Sequence, residues 1–388
     1  MSEIIYWFCL LIILYVYAGY PLLVALLGLV LHKPVRTDPA YTPTVSIIIA
    51  AYNEESVIRE KLENCLALDY PDQNLELIVV SDGSSDNTSE RVRQISGQFT
   101  NRRIRLMELL RSGKMQALNE GAKAATGDVL VLTDANAFAP ENSLRELTCA
   151  FNDPSVGCVT AIKAPLKPGQ QPVAQGEAGY WRYESVLKQM ESRLGSCTGA
   201  EGAFFAIRRK LYPYLQDPAQ ADDMAISLRV ALAGFRLVQS PGALVYEVAP
   251  EQAHTEFLRK ARVTNHGLRA LINLRERLWL SGWFSVALIS HKLLRYLLPS
   301  LLILLLLSNI LLVQQNAFYA TTLILQLALL LLAGIGQLLP DSGRKTLPLI
   351  WMPYFFIRSN MAMLHGLISV LRGKRCTTWE PRHGLSRS

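Results

Sequence analysis

From Tyr296 to Gln337 the chain carries no formal charge. About 20 apolar residues cross a bilayer as one helix, so this stretch is long enough for two crossings. Gln314, Gln315 and Asn316 make a short uncharged turn between them. A further apolar stretch, Ile4 to Leu31, carries Tyr6, Trp7, Tyr15, Tyr17 and Tyr20, which give it an interfacial character. It has no basic start and is longer than the core of a secretory signal, so an uncleaved anchor is expected. His32, Lys33 and Arg36 follow it, and on the positive-inside rule its C-terminal end is cytosolic. The next domain is then cytosolic, the Gln314 turn lies outside, and Arg344 and Lys345 mark the return.

The last apolar segment, Leu347 to Leu371, contains Pro348, Pro353, Arg358 and His365 and leads into a basic tail. A full span would put that tail outside, against the charge rule, so an interfacial or re-entrant segment is expected. Leu278 to Ile289, with Trp279 and Trp283, reads as an interfacial helix feeding the membrane. The expected organisation is an anchor at 1–32, a cytosolic domain at 40–275 and an interfacial helix at 276–295. Two transmembrane helices follow at 296–340, then the last segment and its tail at 341–388.

Charged residues make up 18% of the chain, against about 25% in an ordinary soluble protein, and the apolar stretches account for the deficit. The net charge of +7 comes largely from residues that flank those stretches. Arg275, Arg277, Lys292, Arg295, Arg344, Lys345, Arg372, Lys374 and Arg375 are expected at lipid headgroups. That reading is preferred to a nucleic-acid patch. The six cysteines include no close pair, which points to reduced thiols rather than a disulfide framework or a zinc site.

Between the membrane segments the pattern alternates. Val45 to Ala50 is a β-branched run of the kind a buried parallel strand requires. Helical stretches at Glu54 to Leu68, Thr88 to Ile95 and Lys114 to Ala125 separate it from strands at Leu75 to Val80, Ile104 to Met107 and Val129 to Leu132. Strand–helix alternation implies an α/β fold with a mostly parallel sheet, whose ligands sit beyond the C-terminal strand ends. Polar clusters stand at three of those ends: Tyr52-Asn53-Glu54-Glu55, Ser81-Asp82-Gly83-Ser84-Ser85-Asp86 and Thr133-Asp134-Ala135-Asn136. Each alone is also good turn and capping chemistry, but three on one rim suggest a binding site.

These clusters, with Gly113 to Asn119, Thr198 to Gly202, Asp222-Asp223-Met224 and Arg259 to Arg262, resemble family-2 glycosyltransferases of the GT-A fold. The resemblance covers roughly Thr44 to Asn273, and the order and spacing of the motifs make it specific. The flanking spans resemble membrane-bound members that build bacterial polysaccharides, relatives of poly-N-acetylglucosamine, hyaluronan and cellulose synthases. The resemblance implies inverting transfer from a nucleotide-sugar, with a UDP-sugar favoured, aided by Mg²⁺ or Mn²⁺. The acceptor would be a glycan or a polyprenyl-linked glycan, and the site would lie on the cytosolic side of the inner (plasma) membrane.

By the same resemblance, Asp82 faces the base, while Tyr52 and either Asn53 or Glu54 hold the nucleoside. Lys114 contacts the donor; a lysine in the first turn of a helix opposes the dipole, which favours a functional role over a solvated one. Asp134 and Asn136 occupy the Asp-x-Asp place, where hard oxygen ligands suit a divalent ion bridging two phosphates. Asn136 brings an oxygen without a charge, which weakens the metal site. Asp223 would be the general base, with Asp222 and Glu201 on the acceptor side; a helix cap is the competing reading for Asp222 and Asp223. Arg259 and Arg262 share a helix face and would meet the pyrophosphate or, alternatively, lipid headgroups. Val263 stands where the family has tryptophan, against long-chain processive synthesis. Trp379 either returns to the acceptor site from the tail or anchors at the interface. Two competing functions remain: a processive synthase, which with few spans needs a homo-oligomer or an export partner, and a weakly catalytic scaffold of polysaccharide assembly.

Overall fold

The computed structural model describes residues 1–164, 175–217, 222–247, 253–278, 282–339 and 347–375. Its centre is an eight-stranded sheet in the order β3-β2-β1-β4-β7-β6-β8-β5. The strands are β1 (Val45–Ala51), β2 (Leu75–Asp82), β3 (Arg103–Leu109), β4 (Val129–Asp134), β5 (Ala137–Phe138), β6 (Val156–Ala164), β7 (Phe204–Arg208) and β8 (Arg236–Glu247). The first four pair in parallel. Strand β7 then runs antiparallel to β4, with Thr133 opposite Phe204. That reversal brings the chain before β7 to the edge where β4 ends.

Every residue of β1 is buried, because both faces of the sheet are covered. Ile47 and Ile49 pack on one side with Ile58, Leu62 and Cys65 of α2 (Ile58–Leu66) and with Val92 and Ile95 of α3 (Thr88–Gln98). Ile48 and Ala50 pack on the other with Met115 and Leu118 of α4 (Lys114–Ala124). Helix α5 (Ser143–Thr148) joins the first face through Leu144 and Leu147. At the opposite edge from the strand ends, buried Glu76 accepts from Ser46 Oγ at 2.5 Å and from Thr126 N at 2.6 Å. Burial opposes its charge, yet these bonds hold its carboxyl below the usual carboxylate range.

Three helices among the described residues are long and apolar enough to cross a membrane: α1 (Ser2–Val30), Trp283–Leu312 and Ala317–Leu338. Helix α1 has two jobs. Tyr6, Cys9 and Val16 pack with Leu298, Leu301 and Leu305 of the second span. Tyr20 and Val24 pack instead on Leu187 and Leu194 of α6 (Gln175–Leu194), part of the α/β domain. Chain order continues with α7 (Asp222–Leu232), α8 (Ala253–Asn273), the spans α9 (Trp283–Leu312) and α10 (Ala317–Leu338), and α11 (Pro348–Leu371). Helix α11 is a single 24-residue helix. It packs on α10, where Gly336 lies against Tyr354, and along α8, where Lys260 Nζ donates to Ser359 Oγ at 3.0 Å.

A buried polar cluster welds the membrane helices to the α/β domain. Tyr20 Oη donates to Glu191 Oε1 at 2.7 Å, and the Nδ1 of His291 lies 2.7 Å from the same oxygen. Glu184 takes His291 Nε2 at 3.1 Å, Lys292 at 2.8 Å and Arg295 at 2.5 Å. This corrects the expectation that Lys292 and Arg295 meet lipid headgroups: both point inward onto one carboxylate. Helix α9 correspondingly runs without a break through position 296.

Burial works against the charge of Glu184, but His291, Lys292 and Arg295 hold its carboxyl well below the usual range. A depressed value contributes stability that is complete above the unfolded pKa and is lost as pH falls through the folded one. Wild-type protein in detergent should therefore lose thermal stability on acidification below about pH 4. Glu184→Gln, which leaves Lys292 and Arg295 without their acid, should cost about 3–5 kcal/mol at neutral pH and shrink that acid step in Tm, to which Glu76 still contributes.

Candidate active site

Strand β2 ends on Asp82, which is fully buried. Its carboxylate accepts from Ser112 N at 2.7 Å, Ser112 Oγ at 2.9 Å and Gly113 N at 2.9 Å, and it pairs with Arg111. Asp82, expected to face a base, has its carboxylate buried and engaged by this loop, and so shapes the segment between β3 and α4. The Arg111 guanidinium lies 3.5 Å from the centroid of the Tyr52 ring, joining that loop to the end of β1. Asn53 has φ +52, and its Oδ1 accepts from Ser85 N at 2.8 Å. The Glu54 N–H donates to Thr88 Oγ1 at 2.9 Å. The loops after β1 and β2 are therefore one tied unit.

Gly113, at φ +94, turns the chain into α4, and Lys114 follows as its first residue. Lys114 Nζ lies 2.8 Å from Asp134 Oδ1 at the end of β4. The cation unsuited to a helix N-terminus has an acid from the next strand as partner. Asn136, two residues on, is buried, and its Nδ2 has no hydrogen-bond partner among the described residues. Thr133 Oγ1 donates to Ala203 O at 2.8 Å and accepts from Lys61 Nζ at 2.8 Å. Burial pushes the Lys61 ammonium below its ordinary value, against the pull of Cys65 and Asp134.

The loop before β7 is held from three sides. Thr198 N donates to Glu191 Oε2 at 3.0 Å, Ala200 N to Ser227 Oγ at 3.1 Å, and Glu201 N to Thr160 Oγ1 at 2.7 Å. Gly202 is pressed on Asp223: a Cβ there would stand 2.9 Å from Asp223 Oδ2. Asp223 Oδ1 accepts from Met224 N at 2.7 Å near the start of α7. Asp222 opens that helix, but its side chain lies outside the described residues, as does Trp379. Arg259 is committed to Glu256 by bonds of 2.6 and 2.7 Å. Arg262, one turn further along α8, is half-buried.

A path made of contacts and of covalent neighbours thus runs from Asp82 through Ser112, Gly113, Lys114 and Asp134 to Thr133, Ala203, Gly202 and Asp223. Arg259 and Arg262 lie on α8. Arg111 and Lys61 were not foreseen. Arg111 offers no local pattern, whereas Lys61 leaves a signal, a charged residue among the buried positions Ile58, Leu62 and Cys65 of α2. No group of three or more His, Cys, Asp or Glu side chains that could hold a metal occurs among the described residues. Asp134 and Asn136 carry hard oxygen donors of the kind that would suit Mg²⁺ or Mn²⁺.

The model of the family described as "Glycosyltransferase like family 2" matches residues 43–265. The chain is 30% identical over 236 residues to the "Probable glycosyltransferase YdaM" of Bacillus subtilis, covering 56% of this chain and 53% of that protein. It is 27% identical over 235 residues to the poly-beta-1,6-N-acetyl-D-glucosamine synthase of Staphylococcus aureus, covering 59% and 55%. The chain therefore spans about half the length of these curated relatives. Among solved structures it is similar to the mannosyltransferase PcManGT of Pyrobaculum calidifontis in complex with GDP-Man and Mn²⁺. That likeness has a TM-score of 0.71 at 25% identity and covers 96% of this chain and 100% of that one.

Gly83, with φ +67, would bring a Cβ within 2.8 Å of Arg111 N. Gly83→Ala should lower stability by about 1–3 kcal/mol, read as a drop in Tm in detergent.

Proposed function

Because the chain belongs to glycosyltransferase family 2, we propose that it moves a sugar, with inversion, from a UDP-sugar to a glycan or polyprenyl-linked acceptor. The observation that carries this reading is the path that joins the Lys114–Asp134 pair to Gly202 and Asp223. It supports a reading in which a cation and two oxygen donors for a diphosphate work together with a carboxylate that acts as base. A divalent ion bound by Asp134 and Asn136 would neutralise charge on the departing diphosphate. Lys114 adds a fixed positive charge on the same side. Tyr52, Asn53 and Glu54 line the nucleoside end, with Asp82 holding that wall in shape through Arg111 and Ser112.

Asp223 takes the proton from the acceptor hydroxyl as that oxygen attacks the anomeric carbon. One base and one in-line attack, with no protein nucleophile, give inversion. On this reading Glu201 and Asp222 would serve the acceptor side, and Arg262, with Arg259 beside its partner Glu256, would serve the pyrophosphate from α8. His32, Lys33 and Arg36 after α1 support a cytosolic site on the plasma membrane. Processive synthesis would draw on further copies or an export partner, since three candidate spans make a small channel.

The test is release of nucleoside diphosphate by purified protein in detergent, across a panel of UDP- and other nucleotide sugars with acceptor and Mn²⁺ or Mg²⁺; UDP release is the expected result. A chelator should abolish turnover and Mn²⁺ restore it. Asp223→Asn should lower kcat by about 10²- to 10⁴-fold while UDP still binds; full turnover in that variant would remove Asp223 from the role of base. Gly202→Ala displaces the same carboxylate and should cost about 10- to 100-fold in kcat. Absence of turnover with every donor would leave the scaffold reading.

A further inference from the structure

Lys61 is 1% exposed, on the face of α2 that packs into an apolar cluster with Ile58, Leu62 and Cys65. An ammonium in such a place is costly unless fixed hydrogen bonds offset the loss of water. Two are present. Lys61 Nζ donates to Thr133 Oγ1 at 2.8 Å and to the carbonyl of Ala137 at 2.5 Å. These two residues flank the triplet Asp134-Ala135-Asn136 on either side, so one side chain grips both ends of it.

The direction of the bonds matters. A threonine hydroxyl has a single hydrogen, and that of Thr133 is given to Ala203 O at 2.8 Å. Its lone pair faces the lysine, which has only donors. The bonds therefore form a relay of fixed polarity, from Lys61 through Thr133 to Ala203, the neighbour of Gly202, which lies on Asp223. We infer that Lys61 is a positioning residue of the site: from beneath the sheet edge it fixes the Asp134–Asn136 segment and its separation from Asp223. The inference rests on the proposed function, since it takes Asp134 and Asn136 as metal ligands. Side chains that orient metal ligands from behind typically change affinity by about 10- to 100-fold when removed.

The experiment compares the full-length protein with Lys61→Met, Thr133→Val, Thr133→Ser and the Lys61→Met/Thr133→Val double variant. Binding of Mn²⁺ in the presence of UDP is followed by the electron paramagnetic resonance of free Mn²⁺, with Tm and UDP-sugar turnover measured alongside. Methionine keeps the length and apolar stem of lysine and removes the buried charge, but it leaves Thr133 Oγ1 and the Ala137 carbonyl without their donor, so a fall in Tm is expected and is read apart from Mn²⁺ binding. Lys61→Met and Thr133→Val should each weaken Mn²⁺ binding about tenfold and lower kcat about tenfold or more, with the donor KM within about twofold of wild type. Thr133→Ser, which keeps the hydroxyl, should stay close to wild type, and the double variant should be no worse than the poorer single one.

A fall in Tm with unchanged Mn²⁺ affinity and kcat would overturn the inference and leave Lys61 a core residue. Should Lys61→Met not fold, the valine and serine variants at Thr133 decide the matter, because equal behaviour of the two overturns the relay. A wild-type protein that binds Mn²⁺ with UDP, beside variants that match it, rejects Lys61 alone. A wild-type protein that neither binds the ion nor turns over any donor rejects the proposed function, and the role of Lys61 with it.

Discussion

The alignment of parallel strands is the constraint on which the rest depends. β1 is hydrogen-bonded between β2 and β4, with Ala51 opposite Ser81 and Ala50 opposite Asp134. Three loops therefore leave the sheet at one level, and their side chains meet without long reaches. A shift of one residue in any of these pairings would turn Asp82 or Asp134 to the other face of the sheet. The continuous burial of β1 and β2 guards against such a slip, since both faces are already filled with matched apolar side chains.

The reversal at β7 adds the second half of the site. Parallel strands alone would deliver loops only from their own C-terminal ends. An antiparallel β7 delivers the segment before it, Thr198 to Ala203, to the same edge. That segment is then locked by Glu191, Ser227 and Thr160, each from a different element. Glu191 also receives Tyr20 and His291 from two membrane helices, so the loop beside Asp223 shares a ligand with the membrane bundle. The α/β domain and the bundle meet through ordered polar bonds as well as apolar packing.

Much of this was legible in the sequence, for definite reasons. β-branched runs such as Val45 to Ala50 declare buried strands, and strand-end polar clusters declare the rim. Lys114 stood out because a cation misfits the start of a helix, and Asp134 explains the misfit. What escaped notice depends on distant partners. Phe204–Arg208 is a short strand whose antiparallel pairing no local pattern encodes. Lys292 and Arg295 look like headgroup charges until Glu184, more than a hundred residues earlier, is placed beside them. Tyr52 and Arg111 meet only through the sheet order. Lys61 was readable as an anomaly of periodicity, but its purpose was not, because Thr133 and Ala137 lie more than seventy residues away.

The first helix has a consequence for biogenesis. Tyr6 bonds to Thr322 and Glu3 to Tyr319, partners that a ribosome delivers more than three hundred residues later. At about 5–20 residues per second the earliest segment waits roughly 15–60 s before its neighbours exist. During that interval the hydroxyl of Tyr6 and the carboxylate of Glu3 are without their eventual mates. Completion of the contacts of α1 is thus a late event, and a chain stalled before the third candidate span leaves the first one without them.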